Sequence, residues 1–133
     1  MTHRDRIRPP ASRAPTFLPG LAAVAQTYDG FIIDLWGTVH DGVQAYAAAI
    51  DVLPRLRAQG APVCLLSNAA RTMAEIAAKL AGMGIGRACY DHLVSSGEAT
   101  IAALRRPDAD HGVPGATYYF IGPEDGAPLL QGL

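Results

Sequence analysis

The chain is poor in cysteine, has no excess of either charge and contains no long apolar run. Its two cysteines, Cys64 and Cys89, form no CxxC pair, which argues against a zinc or dithiol redox site and leaves two reduced thiols. Eleven Lys and Arg against twelve Asp and Glu give a net charge of -1, so no global basic field gathers nucleic acid or an anionic membrane. Unbroken apolar stretches such as residues 21–25 run about five residues, against the roughly twenty that span a bilayer. Neither a nucleic-acid nor a membrane partner is expected. No apolar segment of signal-peptide length is evident, and the cytoplasm is the default compartment.

What is present is an ordinary globular composition, 50% hydrophobic and 17% charged over 133 residues. Residues 1–19 are the exception. Arg4, Arg6, Arg8 and Arg13 alternate there with Pro9, Pro10, Pro15 and Pro19, the composition of a solvated, disordered basic tail.

From Tyr28 onward short apolar runs alternate with segments of helical period, the pattern of βαβ units and a parallel sheet, hence an α/β fold. Phe31-Ile32-Ile33-Asp34-Leu35 and Pro62-Val63-Cys64-Leu65-Leu66 read as buried parallel strands, and Leu93-Val94-Ser95 as a third. Between the first two, Ala49, Ile50, Leu53 and Leu56 share a helical stripe that Gly60 stops, while Pro54 predicts a kink or a late start near Leu53. Thr72 to Glu75 and Ser95 to Glu98 both have capping-box spacing, and the first opens a helix to about Met83 with Ile76 and Leu80 inward. Residues 105–115 form a polar Pro/Gly loop, a candidate domain boundary, in which Asp108, Asp110 and His111 read as a solvated turn. Residues 117–121 read as a strand, with Tyr118, Tyr119 and Phe120 filling a core.

Ligands of open α/β sheets gather at the carboxyl ends of the strands. Two ends carry chemistry here: Asp34, followed by Trp36-Gly37-Thr38, and Ser67-Asn68 one βαβ unit later. A right-handed crossover sets such ends side by side. A carboxylate in that position can attack phosphorus when a cation offsets the repulsion between two anions, and Mg²⁺ suits that task. Ser67 and nearby backbone N–H groups can donate to phosphate oxygens. Equally, spacing alone allows Asp34 to cap a turn and Ser67-Asn68 merely to end a strand.

Asp34-Leu35-Trp36-Gly37-Thr38 resembles motif I of the haloacid dehalogenase (HAD) superfamily, and Leu65-Leu66-Ser67-Asn68 resembles its motif II. With His40-Asp41-Gly42, Ser67-Asn68-Ala69-Ala70-Arg71 and Ser95-Ser96-Gly97-Glu98-Ala99-Thr100, the likeness is to class IIA, the branch of NagD-like and 4-nitrophenyl-phosphate phosphatases. The resemblance implies a Rossmann-like three-layer fold. Residues 20–106 would be the N-terminal part of the core, and 107–133 the linker and start of a C2-type cap. Asp34 would be the nucleophile and a Mg²⁺ ligand, the Trp36 main-chain carbonyl a second ligand, and Thr38, Ser67 and Asn68 phosphate-site residues. The substrate would be a small phosphorylated metabolite.

The resemblance also marks two departures. Trp36 stands where the family's phosphatases carry a second Asp as general acid, and an indole N–H does not exchange a proton near neutral pH. His40 and Asp41 are the nearest substitutes. The family's distal Lys and acidic pair would fall past Leu133, so a truncated hydrolase is expected, with an uncovered edge at the Asp34 strand that allows homo-oligomers. Two alternatives follow from Trp36: a 2-haloacid dehalogenase-like hydrolase, in which an aromatic residue takes that position, and a non-catalytic remnant that binds phosphate or a partner.

Overall fold

The computed structural model describes residues 14–106, 117–122 and 129–131. Three strands, β1 (Phe31–Asp34), β2 (Val63–Ser67) and β3 (His92–Ser95), form a parallel sheet in the order β1-β2-β3. Helix α1 (Ala47–Ala58) crosses from β1 to β2, and α2 (Met73–Gly82) from β2 to β3. Helix α3 (Ser96–Leu104) follows β3 without a break.

Strand alternation decides where the core lies. Val63 and Leu65 are fully buried in one cluster with Leu53 and Leu56 of α1 and Ile76 and Leu80 of α2. Both crossover helices therefore cover one face, as two successive right-handed crossovers in one direction require. On the opposite face Ile32 is 76% exposed, and Leu66 and Val94 are also open. The registers Asp34 to Leu66 and Leu66 to Val94 put these residues in adjacent rows.

Both crossovers close in the same way. Gly60 and Gly84 take φ of 84° and 87°, a region L side chains rarely adopt. After α1, Gly60 N–H donates to Arg57 O at 2.9 Å and Ala61 N–H to Leu56 O at 3.3 Å; after α2, Gly84 N–H donates to Ala81 O and Ile85 N–H to Leu80 O. These are paired Schellman closures. Beside them the Arg57 guanidinium grips the Asp91 carboxylate through Nε at 3.0 Å and Nη2 at 2.7 Å, and Asp91 also accepts from Val63 N–H at 2.8 Å. One ion pair thus ties the end of α1 to the starts of β2 and β3.

Several expectations are corrected. Pro54 lies within a helix that already begins at Ala47, on its exposed side, and Ile50 faces outward although it shares the apolar stripe. Thr72 and Glu75 form the full reciprocal capping box, but the Ser95 box is only half made: Ser95 Oγ accepts from Glu98 N–H, while the Glu98 carboxylate turns to Met73 N–H. Residues 117–121 form no strand with any of the described residues, and among these Tyr119 is 91% exposed rather than in a core. The expected tail up to residue 13, and the loop with Asp108, Asp110 and His111, lie outside the described residues.

Candidate active site

At the carboxyl end of the sheet a cleft of about 610 Å³ is lined by Asp34, Trp36, His40, Ser67, Asn68 and Arg71, with Glu75 and Lys79 from α2. Strand pairing creates it. Asp34 stands opposite Leu66, and Leu35 N–H donates to Leu66 O at 3.2 Å, which sets Ser67 and Asn68 next to the carboxylate. Asp34 is solvent-accessible at its strand end. Ser67 Oγ accepts from Ala69 N–H at 3.2 Å, leaving the hydroxyl proton to donate.

The segment 68–73 is held from beneath by the start of α3. Ser95 Oγ donates to Arg71 O at 2.8 Å, Ser96 Oγ to Ala69 O at 3.2 Å, Gly97 N–H to Ala69 O at 3.3 Å, and Glu98 accepts from Met73 N–H at 3.2 Å. The Ser-Ser-Gly-Glu run is thus a clamp on the Ser67-Asn68 loop. Thr38 is placed elsewhere, lining a neighbouring apolar cavity along β1 with Val39, Tyr46 and Leu53; Asp34 borders both spaces.

The loop after β1 is fixed internally. His40 N–H donates to Leu35 O and Gly37 N–H to His40 O, a bridge that uses the groups around Trp36 and not its own carbonyl. Gly37 has φ of 77°, which permits this tight return. Asp41 Oδ1 accepts from Val43 and Gln44 N–H, both at 2.8 Å, and these bonds hold its carboxyl below the usual carboxylate range. Asp41 thus holds the loop together and does not line the cleft. His40 is buried, its Nδ1 accepting from Gly42 N–H at 2.9 Å, which assigns the neutral ring's proton to Nε2. Burial, then the charge of Lys79, lowers its pKa against the opposing pull of Asp41 and Asp34.

Arg71 and Lys79 give the cleft two cations, and Arg71 also lies 3.7 Å from the Glu75 carboxylate. Lys79, and the place of the capping residue Glu75 in the cleft, are not read from the sequence. The signal was their i, i+4 spacing after the Thr72 cap, which aims both along one side of α2. Among the described residues no three acidic, His or Cys side chains converge to hold a metal. Asp34 and the Trp36 carbonyl amount to one carboxylate and one main-chain oxygen, a donor set suited to Mg²⁺ that draws its remaining ligands from phosphate and water.

The sequence profile of haloacid dehalogenase-like hydrolases matches residues 31–132. A crystal structure of a hydrolase of the haloacid dehalogenase-like family from Brucella suis 1330 is 35% identical, with a TM-score of 0.59 over 65% of this chain. The chain spans 33% of the length of that protein. No curated protein matches. A parallel sheet with an acid ending its first strand, a hydroxyl ending its second and a profile match across most of the sequence agree: the chain belongs to the haloacid dehalogenase-like hydrolases.

Proposed function

We propose that the protein is a Mg²⁺-dependent phosphatase of the class IIA branch, acting on a small phosphorylated metabolite through a phosphoaspartyl group on Asp34. The observation that carries this reading is the convergence of Asp34, Ser67 and Asn68 with Arg71 and Lys79 in one cleft. A carboxylate nucleophile, hydroxyl and amide donors and two cations are the parts phosphoryl transfer needs. In its first step an Asp34 oxygen bonds to phosphorus as the bond from phosphorus to the leaving oxygen breaks, and that oxygen takes a proton from solvent. Water then cleaves the acyl phosphate, releasing inorganic phosphate and restoring the Asp34 carboxylate. Asp34 and the Trp36 carbonyl would hold Mg²⁺, whose chemistry there would be to offset the repulsion between carboxylate and phosphate. Residues 107–133 would open the cap that selects substrate. The proposed setting is cytoplasmic, with self-association through the edge of β1 that no described strand pairs.

The test is hydrolysis of a panel of phosphate monoesters with and without Mg²⁺, alongside acid-quench trapping of phosphorylated protein. Trapped phosphate at Asp34, absent from Asp34→Asn, is the expected result; full turnover by Asp34→Asn overturns the assignment. Trp36 favours a second reading, in which Asp34 attacks carbon as in 2-haloacid dehalogenases. Chelator-insensitive chloride release from a 2-haloacid would select it. Phosphate binding without any turnover would select a binding protein instead.

A further inference from the structure

Trp36 is the sole tryptophan of the chain, and among the described residues its neighbours fix it without covering it. Gly42 has φ of 100° and no side chain because the indole occupies that space: a Cβ there would lie 2.5 Å from Trp36 Cη2 and 2.7 Å from Cζ3. The His40 ring meets Trp36 edge-on at 6.0 Å and 77°, and His40 Nδ1 secures Gly42 through its N–H. Two neighbours thus restrain one side of the ring. The rest stays open, for Trp36 is 69% exposed and lines the cleft with Asp34 and Ser67. An indole this large is normally buried or engaged by a partner.

We infer that Trp36 is a stacking platform for substrate, and that the organic part of the phosphate ester carries a flat aromatic or heteroaromatic ring. The inference rests on the phosphoryl-transfer reading and adds a substrate class to it. Trp36 follows Asp34 by two positions, at most about 7 Å between Cα atoms. A ring bonded to the ester oxygen, directly or through one or two atoms, can therefore lie on the indole while phosphorus faces the carboxylate. The His40 hydrogen bond to Gly42 makes the platform rigid, so little freedom is lost when a ring docks. A sugar or glycerol phosphate offers no π-face and gains nothing comparable from Trp36.

The experiment compares two phosphonates that cannot be hydrolysed, benzylphosphonate and ethylphosphonate, with inorganic phosphate as reference. Calorimetry gives affinities, and saturable quenching of the single tryptophan reports on Trp36 directly. Benzylphosphonate is expected to bind about tenfold tighter than ethylphosphonate. Trp36→Ala should erase that preference and Trp36→Phe should restore most of it, with circular dichroism showing that both variants are folded. Equal affinities in the unsubstituted protein, or a benzyl preference that survives Trp36→Ala, overturn the platform and leave the phosphoryl site standing. Failure of all three ligands to bind overturns both.

Discussion

Gly97 packs directly under the backbone of Arg71: a Cβ at position 97 would lie 2.7 Å from Arg71 N and 2.9 Å from Arg71 O. Both are main-chain atoms of the loop that presents Ser67 and Asn68, so neither yields as a flexible side chain would. The closeness of α3 to this loop is what lets Ser95, Ser96 and Gly97 bond its carbonyls.

Gly97→Ala should therefore destabilise the protein by about 1–3 kcal/mol, the ordinary range of overpacking. It should also weaken phosphate binding by displacing the Ser67-Asn68 loop. Gly82→Ala is the control, because an added Cβ there meets nothing within 4 Å. That helical site should hold or slightly raise stability. Urea unfolding of both variants, with phosphate titration of each, checks the contrast.

Ser95 is fully buried, and its hydroxyl both accepts from Glu98 N–H at 3.1 Å and donates to Arg71 O at 2.8 Å. Ser95→Ala removes a helix cap and leaves two polar groups without that partner. A loss of about 2 kcal/mol in chemical denaturation is expected.

Asp34→Asn should behave oppositely, losing turnover but not stability. The side chain is exposed at a strand end, where an isosteric change typically moves stability by less than about 0.5 kcal/mol. Matched thermal melts with an absent phosphoenzyme signal would separate nucleophile from scaffold.

The Arg57 guanidinium, helped by Val63 N–H, lowers the Asp91 carboxyl to about 2. Its unfolded value is about 3.9. The lowered folded value means that the contribution is fully present above the unfolded pKa and is lost as pH falls through about 2. Melting temperatures of the protein and of Asp91→Asn should differ by a constant amount above pH 5, draw together as pH falls below about 4 and converge only at about pH 2 and below.

His40 gives the reverse chemistry with the same direction in pH. Its folded pKa is lowered, so the neutral ring's contribution is complete above the unfolded value near 6.5 and declines as pH falls toward the lowered one. Protonation removes the Nδ1 acceptor for Gly42. Trp36 emission should therefore stay constant at neutral and basic pH and shift in acid, and the acid shift should vanish in His40→Gln.

Much of this was legible from residue order alone. The three paired strands, the α1 and α2 segments and the neighbouring strand ends that carry Asp34 and Ser67 follow from local period and crossover handedness, which sequence spacing encodes directly. Glu98 was misread because its choice of Met73 over Ser95 depends on where a distant loop passes. The 117–121 strand failed for a related reason, since β-propensity supplies no partner. Thr38 is assigned from its place in a motif, and after the turn at Gly37 it lines the cavity along β1 that Asp34 also borders.

The two glycine closures and the Arg57 to Asp91 tie all sit at the amino ends of the strands, opposite the cleft. Strand alignment is thus enforced from the far side of the sheet. The loops at residues 35–46 and 68–72 can exchange side chains while the floor beneath them keeps its shape, so selectivity can drift in sequence without first passing through an unfolded ancestor.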